Sequence, residues 1–176
     1  MLRMHPPSPI RRKLLGIAAA VALVATRTVR ALDAPSEPVI LTVTGRLDRG
    51  NQGSNAAFDL ALIQRLPQHS FSTRTPWYQQ PRKFTGVLFS DLLDAIGAHD
   101  VDTVRAVALN DYRVDIPRDD LTDHGAMLAY LLDDKPMPVR EKGPLVIIYP
   151  FDDEPALRTP VRYSRAIWQL KSLELR

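Results

Sequence analysis

The stretch FSTRTPWYQQPRKFTGVLFSDLLDAIG, residues 71–97, decides the fold of this chain. It begins with alternating polar and apolar residues, and a second apolar run follows at residues 84–89, so two strands are predicted. A helix is expected over residues 91–96, because a glycine follows it and glycine readily adopts the left-handed backbone of a helix end. Between the strands lie the aromatic residues Trp77 and Tyr78, flanked by prolines. The stretch therefore predicts a strand, an aromatic loop, a strand and a helix in succession.

The rest of the chain combines short strands with short helices. Strands are predicted at residues 39–45, 69–75, 103–109, 112–116 and 145–149 and at the end of residues 168–175, and short helices at residues 59–65 and 117–121. Asn110 and Asp111 form the two-residue turn of a hairpin. Residues 152–162, with two prolines, are expected to be irregular. Because strands and helices do not alternate regularly, the pattern predicts a single α+β domain.

Residues 1–31 have the pattern of a cleaved export signal, with a basic start, an apolar run at residues 14–25 and small residues before the cut. An apolar run of about a dozen residues is too short to span a bilayer. The pair Arg11 and Arg12 leaves both the Sec and the twin-arginine export routes open. We expect a periplasmic protein without stable membrane insertion after cleavage, and a permanent membrane anchor is the alternative.

The basic character of the chain resides in this predicted signal. The signal holds six of the 23 basic residues and none of the 20 acidic ones, so 17 basic residues remain against 20 acidic ones. The sequence pI of about 9.4 therefore does not describe the exported chain and gives no support for a nucleic-acid partner. Residues 32–38 are predicted to be a flexible leader, and residues 39–176 the domain.

Several kinds of chemistry are excluded by residue content. The sequence contains no cysteine, which excludes disulfides, zinc–thiolate sites and thiol nucleophiles. Its histidines form no pair at helical zinc spacing, and no serine lies in a nucleophile elbow. We therefore predict no catalytic residue, no metal ligand and no enzymatic activity.

Five segments, taken in order, resemble the molybdopterin-binding domain of the sulfite oxidase family. They are FDLALIQRLP (58–67), RKFTGVLFSDLLDAIGA (82–98), ALNDYRVDIP (108–117), MLAYLLDDKPMPVREKGPLVIIYP (127–150) and YSRAIWQLKSLEL (163–175). The resemblance implies a sulfite oxidase-like mixed fold in one domain. In that family a cysteine before the aromatic loop binds molybdenum, and its place here falls within Thr73, Arg74 and Thr75. A hydroxyl or guanidinium does not replace a soft thiolate ligand.

The chain is most similar to small periplasmic regulators that have this fold and lack the cysteine. That resemblance implies a reduced pterin as ligand, with no metal and no covalent cofactor. It also implies a partner, the periplasmic domain of a membrane-bound signalling protein that makes or degrades cyclic di-GMP. Two alternatives remain open. One is a molybdopterin-dependent oxidoreductase without the cysteine metal ligand, and the other is a degenerate domain that serves only as a protein contact surface.

The ring of a pterin requires an aromatic or apolar wall for its face, and donors and acceptors for its edge. On this basis and by the resemblance, the candidate ligand-binding residues are Arg74, Thr75, Trp77, Tyr78, Asp111, Tyr112, Tyr163, Ser164 and Arg165. Trp77 has a second explanation, which is to close the core from a loop. Asp111 likewise has a local one, because aspartate is favoured in turns. Trp168 is assigned to the core, since it opens an alternating segment.

Overall fold

The computed structural model describes residues 32–176, so the predicted export signal over residues 1–31 lies outside the described residues. Its ten strands are β1 (Leu41–Gly45), β2 (Ala56–Phe58), β3 (His69–Thr75), β4 (Tyr78–Leu88), β5 (Thr103–Ala108), β6 (Arg113–Pro117), β7 (Met127–Leu132), β8 (Lys135–Pro136), β9 (Val146–Ile148) and β10 (Leu170–Leu175). Its four α-helices are α1 (Leu60–Gln64), α2 (Phe89–Ile96), α3 (Arg118–Thr122) and α4 (Pro160–Arg165). None of these helices has the length and hydropathy needed to cross a bilayer.

The strands form two five-stranded sheets. The first sheet has the order β2-β1-β10-β5-β6, and its only parallel pair within the described residues is β1 with β10. In the second sheet β3, β4 and β7 are neighbours in that order, and β8 and β9 both pair with β7. One continuous cluster of buried apolar side chains contains residues from both sheets. The predicted α+β single domain is therefore confirmed.

The β4–β7 pair depends on a glycine. At Gly86 a Cβ would lie 2.0 Å from the carbonyl oxygen of Leu128, so no other residue fits without moving the backbone. The ladder shifts register next to this residue, between Thr85 and Gly86. Glycine at this point of the quoted stretch lets the β3–β4 hairpin join the rest of the second sheet.

Local signals explain the elements that were predicted. Asp59 caps α1, because its carboxylate accepts a hydrogen bond from the backbone nitrogen of Leu62 at 2.7 Å. Gly97 ends α2 with a left-handed backbone, φ 68°, and the helix begins at Phe89, two residues before the predicted start. Asp59 also holds the backbone nitrogens of Ser36 and Glu37, at 2.7 and 2.9 Å. Part of the segment predicted to be a flexible leader is thus bonded to the domain.

Two predicted features differ in the structure. The aromatic loop is a tight turn of Pro76 and Trp77, because β4 already begins at Tyr78. Pro81 lies inside β4 at a register irregularity, where the ladder does not require its missing N–H. The stretch predicted to be irregular contains the start of α4. Thr159 caps that helix by accepting from the nitrogen of Arg162, and a proline occupies its first turn.

Candidate functional site

A cleft of about 250 Å³ lies where three connections meet. These are the β3–β4 turn of the second sheet, the β5–β6 turn of the first sheet, and the chain from α4 to β10. The lining residues are Trp77, Ala108, Asn110, Tyr112, Tyr163, Ser164, Ala166, Ile167 and Trp168. The cleft is therefore built between the two sheets by residues that are far apart in sequence.

Aromatic rings form much of the cleft wall. Trp77 and Trp168 contact each other edge to face, with ring centroids 5.0 Å apart and ring planes at 82°. Tyr163 packs on the buried ring of Phe151, with centroids 4.9 Å apart. The ammonium of Lys142 lies 4.4 Å from the centroid of the Trp168 ring. The sequence has two tryptophans, and both line this cleft.

Three polar side chains complete the lining. The hydroxyl of Tyr112 donates to the carbonyl oxygen of Ser164 at 3.2 Å and so joins the β5–β6 turn to α4. The hydroxyl of Ser164 donates to the carbonyl oxygen of Val161 at 2.7 Å. Asn110 accepts from the backbone nitrogen of Tyr112 at 3.1 Å. The walls thus combine ring faces with neutral hydrogen-bonding groups.

A buried ion cluster fixes α4, which carries Tyr163 and Ser164. The carboxylate of Asp120 in α3 is 4% exposed and bonds the guanidiniums of Arg162 and Arg165, the latter at 3.0 Å. The hydroxyl of Tyr149 donates to the same carboxylate at 3.1 Å. Burial, followed by the negative charge of Asp120, raises the pKa of Tyr149 well above its usual range. The cluster anchors one wall of the cleft from behind.

The predicted site residues divide into two groups. Trp77, Tyr112, Tyr163 and Ser164 come together in the cleft lining, whereas Arg74, Thr75, Tyr78, Asp111 and Arg165 do not belong to it. Their part in ligand contact stays a prediction.

Specific partners hold the charged residues of the second group. Arg74 lies beside Asp152, with its Nη1 3.6 Å from a carboxylate oxygen. Asp111 pairs with Lys171 at 2.8 Å, and this hydrogen bond lowers the pKa of the Asp111 carboxyl. Arg165 bonds Asp120, as described above. Each of these three charged side chains is thus held by an oppositely charged partner.

Tyr78 of this group lies beside the cleft. The ring is half-buried, and the guanidinium of Arg82 lies 4.8 Å from its centroid. Burial raises the pKa of the Tyr78 hydroxyl. The ammonium of Lys142 lies between this ring and that of Trp168, 5.7 Å from the Tyr78 centroid.

Sequence reasoning missed the roles of Asn110 and Trp168. Trp168 is half-buried and packs against the core cluster as predicted, but it also lines the cleft. Since β10 begins at Leu170, Trp168 lies before the alternating strand, and its cleft role was not predicted. Asn110 was assigned only a turn role, although it also lines the cleft. The position of the hairpin turn, which was predicted, is the signal that could have identified it.

The position of the family's metal ligand holds hydroxyls and a guanidinium. Thr73 accepts from the backbone nitrogen of Asp152 at 3.1 Å, and Arg74 donates its own backbone nitrogen to the Asp152 carboxylate at 2.9 Å. The Thr75 hydroxyl is buried and has no hydrogen-bond partner within residues 32–176. This donor set does not fit a molybdenum centre that needs a protein thiolate. In the described part of the chain no three His, Cys, Asp or Glu side chains are grouped to bind a metal.

A wider groove runs along β1 and β10. Its volume is about 470 Å³, and its lining is Val39, Ile40, Thr42, Leu109, Val139, Pro144, Leu170, Lys171 and Ser172. No aromatic ring lines it, so it offers no stacking surface for a planar ligand. Of the two sites, the aromatic cleft is the better candidate for binding a planar ring.

Comparisons with known proteins agree with this architecture. Residues 49–151 match the model of the oxidoreductase molybdopterin binding domain. No curated protein matches the sequence. Among solved structures, the chain is similar to the sulfane dehydrogenase SoxCD from Paracoccus pantotrophus, with a TM-score of 0.59 and 14% identity over 82% of this chain. The chain spans 40% of the length of that protein, and the likeness shows the fold alone. Since the family match covers more than half of its residues, the chain belongs to the oxidoreductase molybdopterin-binding domain family and has its sulfite oxidase-like fold.

Proposed function

We propose that this protein is a non-catalytic pterin-binding module of the periplasm that signals ligand occupancy to a membrane-bound partner. The observation that carries the proposal is the aromatic cleft beside the family's cofactor loop, in a chain without any cysteine. The part of the site that suits a pterin ring is present, and the thiolate that binds the metal is absent. This combination favours a metal-free pterin that binds through its ring alone.

The cleft dimensions support a single small ring system. Ligand sites usually measure about 300–1,000 Å³, and this cleft lies just below that range at about 250 Å³. The indoles of Trp77 and Trp168 offer apolar surface for the ring face, and Asn110, Tyr112 and Ser164 offer polar groups for its edge. A bicyclic ring satisfies both requirements.

The partner and the compartment follow from the resemblance described for the sequence. The proposed partner is the periplasmic domain of a membrane-bound protein that makes or degrades cyclic di-GMP. Exposed apolar residues next to the cleft support a contact there, since Tyr112 is 45% and Val161 is 56% exposed. Ligand and partner must then stabilise each other's binding by the same free energy.

The second candidate is a molybdopterin-dependent oxidoreductase, which the family match favours. Molybdopterin, when bound, would supply a redox-active metal held by its own dithiolene. The residues Trp77, Trp168 and Tyr112 would then hold the pterin part of the cofactor and exclude water from its faces.

The first experiment is mass spectrometry of the small molecule that co-purifies with the periplasmic protein, with molybdenum quantified in the same sample. We expect a metal-free pterin near one per chain. Molybdenum near one per chain would replace the first candidate by the second. Absence of both ligands, together with no response to added tetrahydropterin, would favour a protein contact domain.

Binding can be followed by intrinsic fluorescence, because both tryptophans lie in the cleft. We expect tetrahydropterin to quench the fluorescence of the wild-type protein. Trp77→Ala should weaken binding by about 5- to 150-fold, since loss of a stacked aromatic costs about 1–3 kcal/mol. Tyr130→Phe is the matched control, because Tyr130 lies outside the cleft and bonds Gln68. Equal affinities of wild type and Trp77→Ala would place the ligand elsewhere.

The signalling part requires a separate test. Binding of the purified periplasmic partner domain should be measured with and without saturating tetrahydropterin. We expect the two affinities to differ, and the Trp77→Ala variant to lose this difference. A partner that binds both forms equally would contradict the mechanism even if the pterin binds.

A further inference from the structure

We propose that Asn110 selects the class of ring that the cleft accepts. Its side-chain amide nitrogen donates a hydrogen bond to a carbonyl oxygen on the ring edge. The preferred ligand is therefore an uncharged heterocycle with a cyclic amide, and a ring with an amino group in place of that carbonyl is rejected. This inference rests on the proposed function and specifies the ligand for the same site.

The orientation of the Asn110 amide follows from its one hydrogen bond. The backbone nitrogen of Tyr112 donates to Oδ1 of Asn110 at 3.1 Å, and only the oxygen of an amide can accept. The NH₂ group is thereby fixed as the free end of the side chain. It has no acceptor among residues 32–176, and Asn110 lines the cleft. Asn110 is exposed, so its two N–H donors are available to a ligand at this point of the lining.

The other two polar side chains of the lining, those of Tyr112 and Ser164, can act as hydrogen-bond acceptors. Tyr112 uses its hydroxyl hydrogen on the carbonyl of Ser164, and Ser164 uses its own on the carbonyl of Val161. Both hydroxyl oxygens keep lone pairs that can accept from ring N–H groups. The cleft thus offers a donor from the β5–β6 turn and acceptors on the α4 side. A cyclic amide has the matching acceptor and donor side by side on one edge.

Charge in and around the cleft narrows the ligand class further. All nine lining residues are uncharged. Arg162 and Arg165 are bound by Asp120, and Lys171 is bound by Asp111. The lining itself therefore offers no cation to a phosphate on the ligand. The ammonium of Lys142 borders the cleft, 4.4 Å from the centroid of the Trp168 ring.

The Asn110→Asp variant tests the donor directly. Aspartate keeps the oxygen that accepts from Tyr112 and is favoured at such turns, so it preserves the backbone while replacing two N–H donors with an acceptor. The probes are tetrahydropterin and the diaminopteridine in which an amino group replaces the ring carbonyl. Tryptophan fluorescence measures both affinities.

We expect the wild type to prefer tetrahydropterin by about tenfold, the usual effect of one mismatched hydrogen bond at a partly exposed site. The Asn110→Asp variant should reverse this preference towards the diamino ring. Asn55→Asp, in the loop before β2 and outside the cleft lining, adds the same charge and should keep the wild-type preference. Asp111→Asn tests the neighbouring residue that the sequence favoured, and it too should keep the preference.

The outcomes separate this inference from the proposed function. An unchanged preference in Asn110→Asp, with measurable binding of both rings, would overturn the role of Asn110 alone. If the wild type binds neither ring, the pterin function itself fails. Ser164→Ala supplies a second test if Asn110→Asp does not fold. It removes an acceptor for the cyclic N–H, and the diaminopteridine carries no hydrogen on that ring nitrogen, so the variant should weaken tetrahydropterin more than the diamino ring. Equal weakening of the two rings, or weakening of the diamino ring alone, would overturn the assignment of donor and acceptor sides.

Discussion

At the scale of single residues, Asp120 determines how firmly the cleft is held. Arg162 extends its ion cluster to His124, whose Nε2 lies 3.2 Å from the guanidinium and whose Nδ1 lies 2.7 Å from the Glu154 carboxylate. Removing one partner would leave a buried charge uncompensated, which is costly, so the cluster resists rearrangement. The arrangement fixes the helix that carries Tyr163 and Ser164.

Tyr149 makes the stability of the fold sensitive to alkaline pH. Its folded pKa is raised above the unfolded value of about 10, because the ring is buried and its hydroxyl faces Asp120. Below about pH 10 the hydroxyl is neutral in both states and its contribution is fully present. Above that pH only the unfolded chain ionises at this residue, so stability falls as pH rises.

Urea unfolding at about pH 8 and about pH 11 measures this effect. We expect the urea midpoint to fall less between these two pH values in Tyr149→Phe than in the wild type. A part of the fall should remain, since burial also raises the pKa of Tyr78. Tyr112→Phe is the control, because it also removes a hydrogen-bonded tyrosine hydroxyl, from a residue that is 45% exposed, and keeps Tyr149; its midpoint should fall between the two pH values as much as that of the wild type. An equal fall in the wild type and Tyr149→Phe would assign the alkaline loss to other groups.

At the scale of elements, α4 is a short helix that carries two residues of the cleft lining, Tyr163 and Ser164. It has six residues, and its N-terminal cap is the Thr159 hydroxyl, 3.3 Å from the nitrogen of Arg162. Helices of this length are not stable alone, so cap and tertiary contacts decide whether the helix forms. The N-terminal cap of α4 therefore helps to hold this part of the cleft lining in place.

Thr159→Ala should lower the free energy of unfolding by about 1 kcal/mol, because the cap is lost. It should also weaken tetrahydropterin binding, since Tyr163 and Ser164 follow the cap. Urea unfolding and fluorescence titration measure the two effects. Thr159→Ser keeps the cap and should behave like the wild type. If the serine variant loses as much as the alanine variant, the lost methyl group is responsible.

Elements with local signals could be predicted, and ion pairs could not. The β5–β6 hairpin and the Gly97 helix end depend on residues next to each other, and both were predicted. The hairpin connection is longer than the predicted two-residue turn, because it spans residues 109–112 and has Asp111 in the left-handed region, φ 64°. Arg74 and Arg165 were predicted to contact ligand, yet they bond Asp152 and Asp120, which lie 78 and 45 positions away. Nothing in the sequence near an arginine identifies so distant a partner. The aromatic residues of the cleft could therefore be predicted, whereas the ion-pair partners of Arg74 and Arg165 could not.

At the scale of the whole molecule, the cleft joins the two sheets. Trp77 belongs to the second sheet's hairpin, and Tyr112 follows the turn of the first sheet. A ligand that contacts both must stabilise the folded state as a whole, because unfolding either sheet removes its site. Binding and global stability are thus linked.

Thermal unfolding should show this linkage. At a free tetrahydropterin concentration about 100 times the Kd, binding adds about 2.7 kcal/mol to the free energy of unfolding. For a domain of this size, about 3 °C for each kcal/mol gives a rise in Tm of roughly 8 °C. Trp77→Ala should show a much smaller rise under the same conditions. A ligand that binds but leaves Tm unchanged would have to bind the unfolded chain as well.

The position of β10 has a consequence for synthesis. This strand lies in the middle of the first sheet, between β1 and β5, although it is the last of the described strands. Until residues 170–175 leave the ribosome, β1 lacks its parallel partner and both strands beside the gap have unpaired edges. The first sheet therefore cannot close from its early strands alone. It closes only once residues 170–175 have been made, and a nascent chain stalled before that point exposes strand edges that chaperones and proteases can bind.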